Sequence, residues 1–545
     1  MIKNYAAQEN DKLPKEKETA KLFEWADSIG IWINPKLHYP TKFEPGSTGV
    51  SATEKINPWE PLVLVPYQGL LTCELTDSSL ESVFEENPDL FGSQHSESQD
   101  YKIIAYMLKE LAKGSESFWD PYFRSLPSNP ENLLDWSEKE LLSLQDSDLV
   151  CDINIRQAKD YACNKALSVV LSKYPDHFEA SQVSLKVITW CWRIVTTRAF
   201  GECVPYAALI PVADLLNHSN ANTNYYYGNE EPPDLEYENK QSGDEDEDDS
   251  LYEDPPIIIL SAQKLFRINT SVYSQLSPEE EAKLSQIQTE AKYIDALKLS
   301  EKLRSIVEKK KKSQVTVDKN QMFRIVTGKF EEFERDSQVC ISYGRYSNRS
   351  LLTNYGFALP NNKYDYARFK LSLKDLLSGC QLEKLNYRRD MQVAFKVKAS
   401  SVCMSLLRVL RCLEWSIDTN QAKDFFSPSN LLLEIKVLNR AVEVIQSQLC
   451  EFETTLEEDL GLLSQVLSSR NYFALVYRIG VKQSLKSQLE LLEISTAVLE
   501  KLVAGEPFSK SIQIEELLGL YSQPHQFYKS GIEEYLACLR MYHQD

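Results

Sequence analysis

The chain has 545 residues, 43% of them hydrophobic and 26% charged, with a mean hydropathy of −0.37; this is globular composition, long enough for two to four domains. No stretch approaches the ~20 uninterrupted apolar residues of a membrane span, and "MIKNYAAQENDKLPKEKETA" at the amino terminus lacks a signal-peptide core, so neither a membrane protein nor a secreted one is expected. The formal net charge of −20 disfavours nucleic acid as a direct ligand and favours a basic partner.

After an N-terminal extension (1–26), residues 27–72 read as short strands: "GIWINPKLHYP", "STGVSATEKI" and "EPLVLVPYQGLLT" set β-branched and apolar runs between prolines and glycines. From about 77 to 200 the period changes. "DYKIIAYMLKELAKG", "QAKDYACNKALSVVLSKY" and "SQVSLKVITWCWRIVTTRAF" space their apolar residues as helices do, and "SFWDPYFRSLPSNP" reads as an aromatic, proline-rich turn between them. Trp190 and Trp192 are expected in the core. Strand-like text returns at "AALIPVAD", "PPIIILSA" and "SQVCISYG".

Two passages interrupt this second strand region. Residues 230–254 are acidic, with six consecutive acids from Asp244 to Asp249, a run that repels itself and suits a solvated loop. Residues 277–312 read as a charged helix with an apolar stripe, ending in lysines. Both are taken as insertions within a domain, because strand-like sequence resumes at Gln338. From 371 to 545 the text is helical, rich in Leu, Ala and Glu at three- and four-residue steps. Eleven cysteines stand singly with no C-x-x-C pair, so neither a zinc site nor a disulfide framework is expected and no metal ligand is assigned. Reduced thiols fit a protein of the cytoplasm or nucleus.

Chemistry concentrates in two segments. "DLLNHSNANTNYYYG" (Asp214 to Gly228) leaves an apolar run for Asp214, Asn217 and His218. "QVCISYGRYSNRSLLTNYGFALPNNKYD" (Gln338 to Asp365) leads another strand into Tyr343, Ser347, Asn348, Tyr355, Gly356 and Phe357. Each residue alone has an ordinary structural reading: a strand-end histidine, or core aromatics. The tyrosine run Tyr225 to Tyr227 keeps that reading and is left outside the site.

Together, "RAF…IPVADLLNHS" (Arg198 to Ser219) and "QVCISYGRYSNRSLLTNYGF" resemble the SET-domain protein methyltransferases, in the branch typified by the Rubisco large-subunit methyltransferase. "ELAKGSESFWDPYFRSLP" and "RNYFALVYRIGVKQSL" are also similar to that branch, so the resemblance runs from about Asp27 to Leu485. It implies an α+β fold: a β-rich SET domain (27–366) with a helical insertion, whose two motif segments cross in a pseudoknot-type site, then a helical substrate-recognition domain (371–545). It implies S-adenosylmethionine as cofactor. Asn217 and His218 would hold its adenine region, Asp214 would belong to the same pocket, and Arg198 would meet the carboxylate end, where a fixed guanidinium suits an anion. Phe357 would pack on the adenine plane beside Tyr355 and Gly356.

Tyr343 is the catalytic candidate, holding the methyl group through weak C–H···O contacts, and Tyr355 shares the substrate channel with it. The family's cofactor loop ordinarily reads acidic-Gly-x-Gly-Leu. Here it is "GSTGV": Gly49 matches, Ser47 replaces the first glycine and no acid is present, so Gly46, Ser47 and Thr48 would contact the cofactor through backbone. The implied activity is protein-lysine N-methylation by a monomer. Similar fungal chains methylate ribosomal proteins, which makes a basic, large-subunit ribosomal protein the candidate substrate. A histidine methyltransferase of the actin type and a non-catalytic binding module are the alternatives; a tyrosine at position 355 favours lysine over histidine.

Overall fold

The structure is a computed structural model that describes residues 16–74, 78–93, 95, 97–130, 132–201, 204, 206–228, 257–258, 318–372, 392–414, 430–465, 468–505, 532, 535 and 536. The acidic stretch 230–254 and the charged segment 277–312 lie outside these residues.

Helix α1 (Glu16–Ser28) precedes strands β1 (Trp32–Ile33), β2 (Leu37–Phe43), β3 (Ser47–Ala52), β4 (Pro61–Pro66) and β5 (Leu71–Thr72). The insert carries α2 (Glu81–Glu86), α3 (Pro88–Phe91), α4 (Ser98–Lys113), α5 (Asp120–Ser125), α6 (Glu138–Leu142), α7 (Ser147–Leu171) and α8 (Leu185–Arg198). Strands β6 (Ala208–Leu209), β7 (Asn217–His218), β8 (Thr223–Tyr227), β9 (Ile257–Ile258), β10 (Met322–Thr327) and β11 (Gln338–Ile341) follow. The chain continues through α9 (Asn348–Tyr355), β12 (Tyr366–Ser372), β13 (Gln392–Lys398), α10 (Met404–Glu414), α11 (Leu431–Cys450), α12 (Leu456–Leu462) and α13 (Ser469–Val503).

Small sheets build the SET half. One runs β1-β4-β10-β8 and another β2-β3-β11-β7. The chain leaves one sheet after β8 and re-enters it at β10, the two strands pairing in the register Tyr227↔Phe323. The tyrosine run is a strand. Tyr226 is buried, and Tyr225 packs edge-on against Phe200 and tilted against Phe323, which is ordinary sheet packing.

The apolar residues fall into two cores. The first joins Val50, Val63 and Val65 to Met107, Trp190, Trp192, Val339 and Ile341. The second joins Leu438, Val481 and Leu491 of the C-terminal helices to Phe369 and Phe395. The sequence boundaries shift in four places. Leu22 and Ala26 of α1 are buried in the first core, so residues counted as an extension are structural. "SFWDPYFRSLPSNP" is not merely a turn: it holds α5, with proline at the start of the helix, where its missing N–H costs nothing.

The insert is shared between the cores. Leu133, Trp136, Leu149 and Ile153 pack in the second, while Cys163, Leu167 and Leu171 of the same α7 pack in the first. The C-terminal region also opens with strands rather than helices. β12 pairs β13 from Tyr366↔Lys398 to Ser372↔Gln392, and β9 adds to β13. Period-2 text of seven residues inside a helical region is easily lost in a longer helical window.

Candidate active site

The two motif segments lie side by side. β7 pairs β11 in parallel, Asn217 opposite Cys340 and His218 opposite Ile341, while β11 pairs β3 on its other edge at Gln338↔Ser51 and Val339↔Val50. The ladder extends beyond the strands: Ser219 N–H donates to Ile341 O at 3.1 Å, and Ser342 N–H to Thr223 O at 3.1 Å. Tyr343 therefore leaves β11 immediately beside His218.

Two hydrogen bonds fix that pair. The backbone N–H of Tyr343 donates to His218 Nδ1 at 2.9 Å, and the Tyr343 hydroxyl donates to Leu216 O at 3.0 Å. The rings stack, with centroids 5.1 Å apart and planes 28° from parallel. Because Nδ1 accepts, the neutral imidazole carries its proton on Nε2. Burial pushes His218 down to about 4, and Lys363 adds to the effect against the pull of the Ile341 carbonyl. Burial likewise raises the Tyr343 phenol well above its usual value, with Arg198 pulling the other way, so it stays neutral.

Beyond Tyr343 the aromatics form a wall. Tyr343 lies 5.2 Å from Tyr355, Tyr355 lies 6.1 Å from Phe357 and 6.0 Å from Tyr346, and Phe357 lies 6.2 Å from His218. Gly356 makes this possible. It ends α9 in the left-handed region (φ 79°) with its N–H on Leu352 O, a conformation glycine adopts without Cβ penalty, and it turns Phe357 back towards the histidine.

Arg198 and Asp214 form the other end. Arg198 Nη1 bonds both the backbone carbonyl (3.0 Å) and Oδ2 (3.1 Å) of Asp214, and the Tyr122 hydroxyl donates to the same Oδ2 at 2.9 Å. Burial works against the Arg198 charge, but Asp214 holds its value above the usual one. Burial raises the Asp214 carboxyl, opposed by Arg198 and Tyr122.

The segment expected as a cofactor loop is a tight turn and the start of β3. Gly46, at φ 116°, follows Phe43, which pairs with Ser47. Asn217 Nδ2 donates to Thr48 O at 3.0 Å, which ties the turn to β7. A Cβ on Gly49 would lie 2.5 Å from Gln338 Nε2 and 2.7 Å from Asn217 Nδ2, so only glycine permits this approach.

These residues fit the implied cofactor. Among the described residues Arg198 spends only Nη1, so Nε and Nη2 remain for a carboxylate. His218 Nε2 and Asp214 Oδ1 are buried with no hydrogen-bond partner among the described residues; a donor and an acceptor left so are costly unless something meets them.

Comparison with known proteins agrees with this geometry. The solved structure described as the SET domain of LSMT bound to lysine and AdoHcy superposes with a TM-score of 0.53 at 17% identity, covering 96% of this chain and 99% of that one. The fold is that of LSMT. A family model described as Rubisco LSMT substrate-binding matches residues 374–485.

Among curated proteins, the chloroplastic ribulose-1,5 bisphosphate carboxylase/oxygenase large subunit N-methyltransferase of Pisum sativum is 30% identical over 125 residues, 22% of this chain and 24% of that protein. The N-lysine methyltransferase setd6 of Xenopus laevis is 24% identical over 225 residues, 38% of this chain and 48% of that protein. The chain thus has SET-domain lysine methyltransferases as homologues, matched over a quarter to a half of their lengths.

The structure brings Tyr343, Tyr355, Phe357 and His218 together, joins Arg198 to Asp214, and joins Asn217 to Thr48. Gly46 and Ser47 sit at the rim, against α13. Four participants escape the sequence: Tyr122, the Leu216 carbonyl, Ser469 and Phe473. Three of them lie inside text already singled out without a role of their own, Tyr122 in "FWDPYF", Leu216 in "DLLNHS" and Phe473 in "RNYFALVYRIGVKQSL", and only Ser469 lies outside it.

Proposed function

We propose that the chain is an S-adenosylmethionine-dependent protein-lysine N-methyltransferase that acts on a basic ribosomal protein of the large subunit, in the cytoplasm or nucleus, as a monomer. The observation that carries the reading is the Tyr343 hydroxyl held on the Leu216 carbonyl, 3.0 Å away, beside the His218 ring. When bound, the cofactor would supply an electrophilic sulfonium methyl for a lysine nitrogen, with a neutral thioether as leaving group and the lysine's surplus proton passing to solvent.

The protein's own part is positioning and electrostatics. The Tyr343 hydroxyl spends its proton on Leu216, which leaves phenol lone pairs and the carbonyl to hold a methyl group through C–H···O contacts. A phenol kept neutral by burial is no base, so the lysine must arrive deprotonated, as a dry channel beside a cation favours. Tyr355 forms a wall of that channel. Arg198 would hold the carboxylate, Asp214 the ammonium, His218 and Asn217 the adenine end, with Phe357 against the ring. The net charge of −20 supports a basic substrate by steering its approach.

Incubation of the protein and methyl-labelled cofactor with stripped ribosomal proteins tests the reading, with mass spectrometry to identify the modified residue. Label on a lysine of a large-subunit protein is expected, falling roughly 100-fold in Tyr343→Phe. Label only on histones or actin, or on histidine, refutes it. Absence of cofactor binding by calorimetry would favour a binding module instead.

A further inference from the structure

Helix α13 belongs by composition and packing to the C-terminal core, yet its first turn reaches the cofactor end of the SET half. The Ser469 hydroxyl donates to Pro45 O at 2.7 Å, on the turn that precedes Ser47 and Thr48. The approach is close enough that a Cβ on Gly46, already at φ 116°, would lie 3.2 Å from Ser469 Oγ. One turn on, the Phe473 ring meets Phe357 edge-on, with centroids 6.4 Å apart and planes at 62°, a favourable aromatic geometry.

The turn of α13 is itself fixed. Ser468 caps it by accepting from Asn471 N–H, and Arg470 bonds Glu140 at 3.0 Å and the Asp135 carbonyl at 3.2 Å. From there α13 runs 35 residues, roughly 50 Å at 1.5 Å per residue, and its far half supplies Leu491, Ile494 and Val498 to the second core.

We infer that Ser469 and Phe473 are positioning residues for the cofactor, acting through the 45–48 turn and through Phe357. The inference rests on the methyltransferase reading above. The physical need is visible in "GSTGV": Gly46 to Val50 carries no acidic side chain, the contacts this stretch would offer are those of its backbone, and backbone groups hold a ligand only as well as the turn is held. Asn217 holds it from the SET side, through Thr48 O. Ser469 holds it from the C-terminal side, through Pro45 O. A helix of the substrate-recognition region thereby completes the cofactor cleft, and loss of the Ser469 or Phe473 contact, with the helix itself in place, would loosen cofactor binding without touching Tyr343 or Tyr355.

Calorimetric titration of the full chain with S-adenosylhomocysteine, alongside steady-state kinetics, tests this with Ser469→Ala, Phe473→Ala and the conservative Ser469→Thr. Loss of one hydrogen bond or one aromatic edge contact corresponds to roughly 3- to 10-fold weaker binding in each alanine variant. The KM for cofactor should rise in parallel, while kcat at saturating cofactor stays within twofold and Ser469→Thr restores binding. Ser469 is exposed, so its variants should keep the unliganded melting temperature. Unchanged affinity in both alanine variants beside a wild type that binds overturns this inference alone. A wild type that does not bind overturns it together with the methyltransferase reading.

Discussion

His218 offers a direct physical test of the site, because its role depends on being neutral. Its Nδ1 can accept from Tyr343 N–H only while unprotonated, and burial lowers the ring from 6.5 to about 4. The folded value lies below the unfolded one, so on acidification the unfolded chain binds the proton first. Stability fully present above pH 6.5 is lost as pH falls towards 4. With these two values the loss is about 2 kcal/mol at pH 5, approaching about 3 kcal/mol below pH 4. The ring is only 5% exposed, so solvent screening takes little away.

Bulk unfolding would blur the effect. Buried Asp365, raised to about 7 by burial against the hydrogen bonds from Asn348 and Tyr366, has the opposite slope over much of the same range: it takes up a proton on folding, so its contribution falls as pH rises. A local probe avoids this. The chain has six histidines, few enough to resolve with isotope-labelled rings. One resonance, absent in His218→Asn, should remain neutral down to about pH 5 with its proton on Nε2. Titration of that resonance near 6.5, or a proton on Nδ1, would refute the buried acceptor and with it the lock on Tyr343.

Gly480→Ala should destabilise although alanine favours a helix by about 1 kcal/mol: the new Cβ would lie 2.1 Å from Asp365 Oδ2, and moving that carboxyl breaks its bonds from Asn348 N and Nδ2, for a net loss of about 2 kcal/mol or more in denaturant melts. Arg349→Met removes the buried partner of Asp146 and Asp152 (3.1 and 2.6 Å); about 3 kcal/mol should be lost at neutral pH, and less in acid as Asp152 protonates, a carboxyl that, against the pull of burial, Arg349 and Arg368 hold below its usual value. Tyr122→Phe takes the hydroxyl from Asp214 Oδ2 and should weaken cofactor binding about 5-fold by calorimetry, with kcat little changed.

What the sequence showed and what it hid divide along physical lines. The strand before Asn217 and the strand before Tyr343 were legible as local text, and order along the chain was enough to join them. Long helices such as α4, α8 and α13 declared themselves by period. Contacts set only by tertiary packing left no mark: Tyr122 meets Asp214 across 92 positions, and Ser469 meets Pro45 across 424. The second motif also misled in part. Asn348 looks like a site residue beside Tyr343, yet it is buried and spends its amide on Leu359 and Asp365, while Arg349 serves the ion pairs with α7. Their chemistry is that of a fastener, and nothing in spacing separates a fastener from a ligand.

That fastening explains where Tyr355 lies. Tyr343 packs against the first core, whereas Leu352, one turn before Tyr355 on α9, is buried in the second. The 5.2 Å between the Tyr343 and Tyr355 rings is therefore a distance between two cores, and that spacing is fixed by whatever fixes their seam. Three contacts do so from the C-terminal side: Tyr477 on Asp146 at 2.5 Å, Gly480 against Asp365, and Phe473 against Phe357. All three lie on the first four turns of α13. Close-packed interiors shift as units rather than deform continuously, so a movement of this whole helix would shift the 45–48 turn and the Tyr343–Tyr355 spacing together.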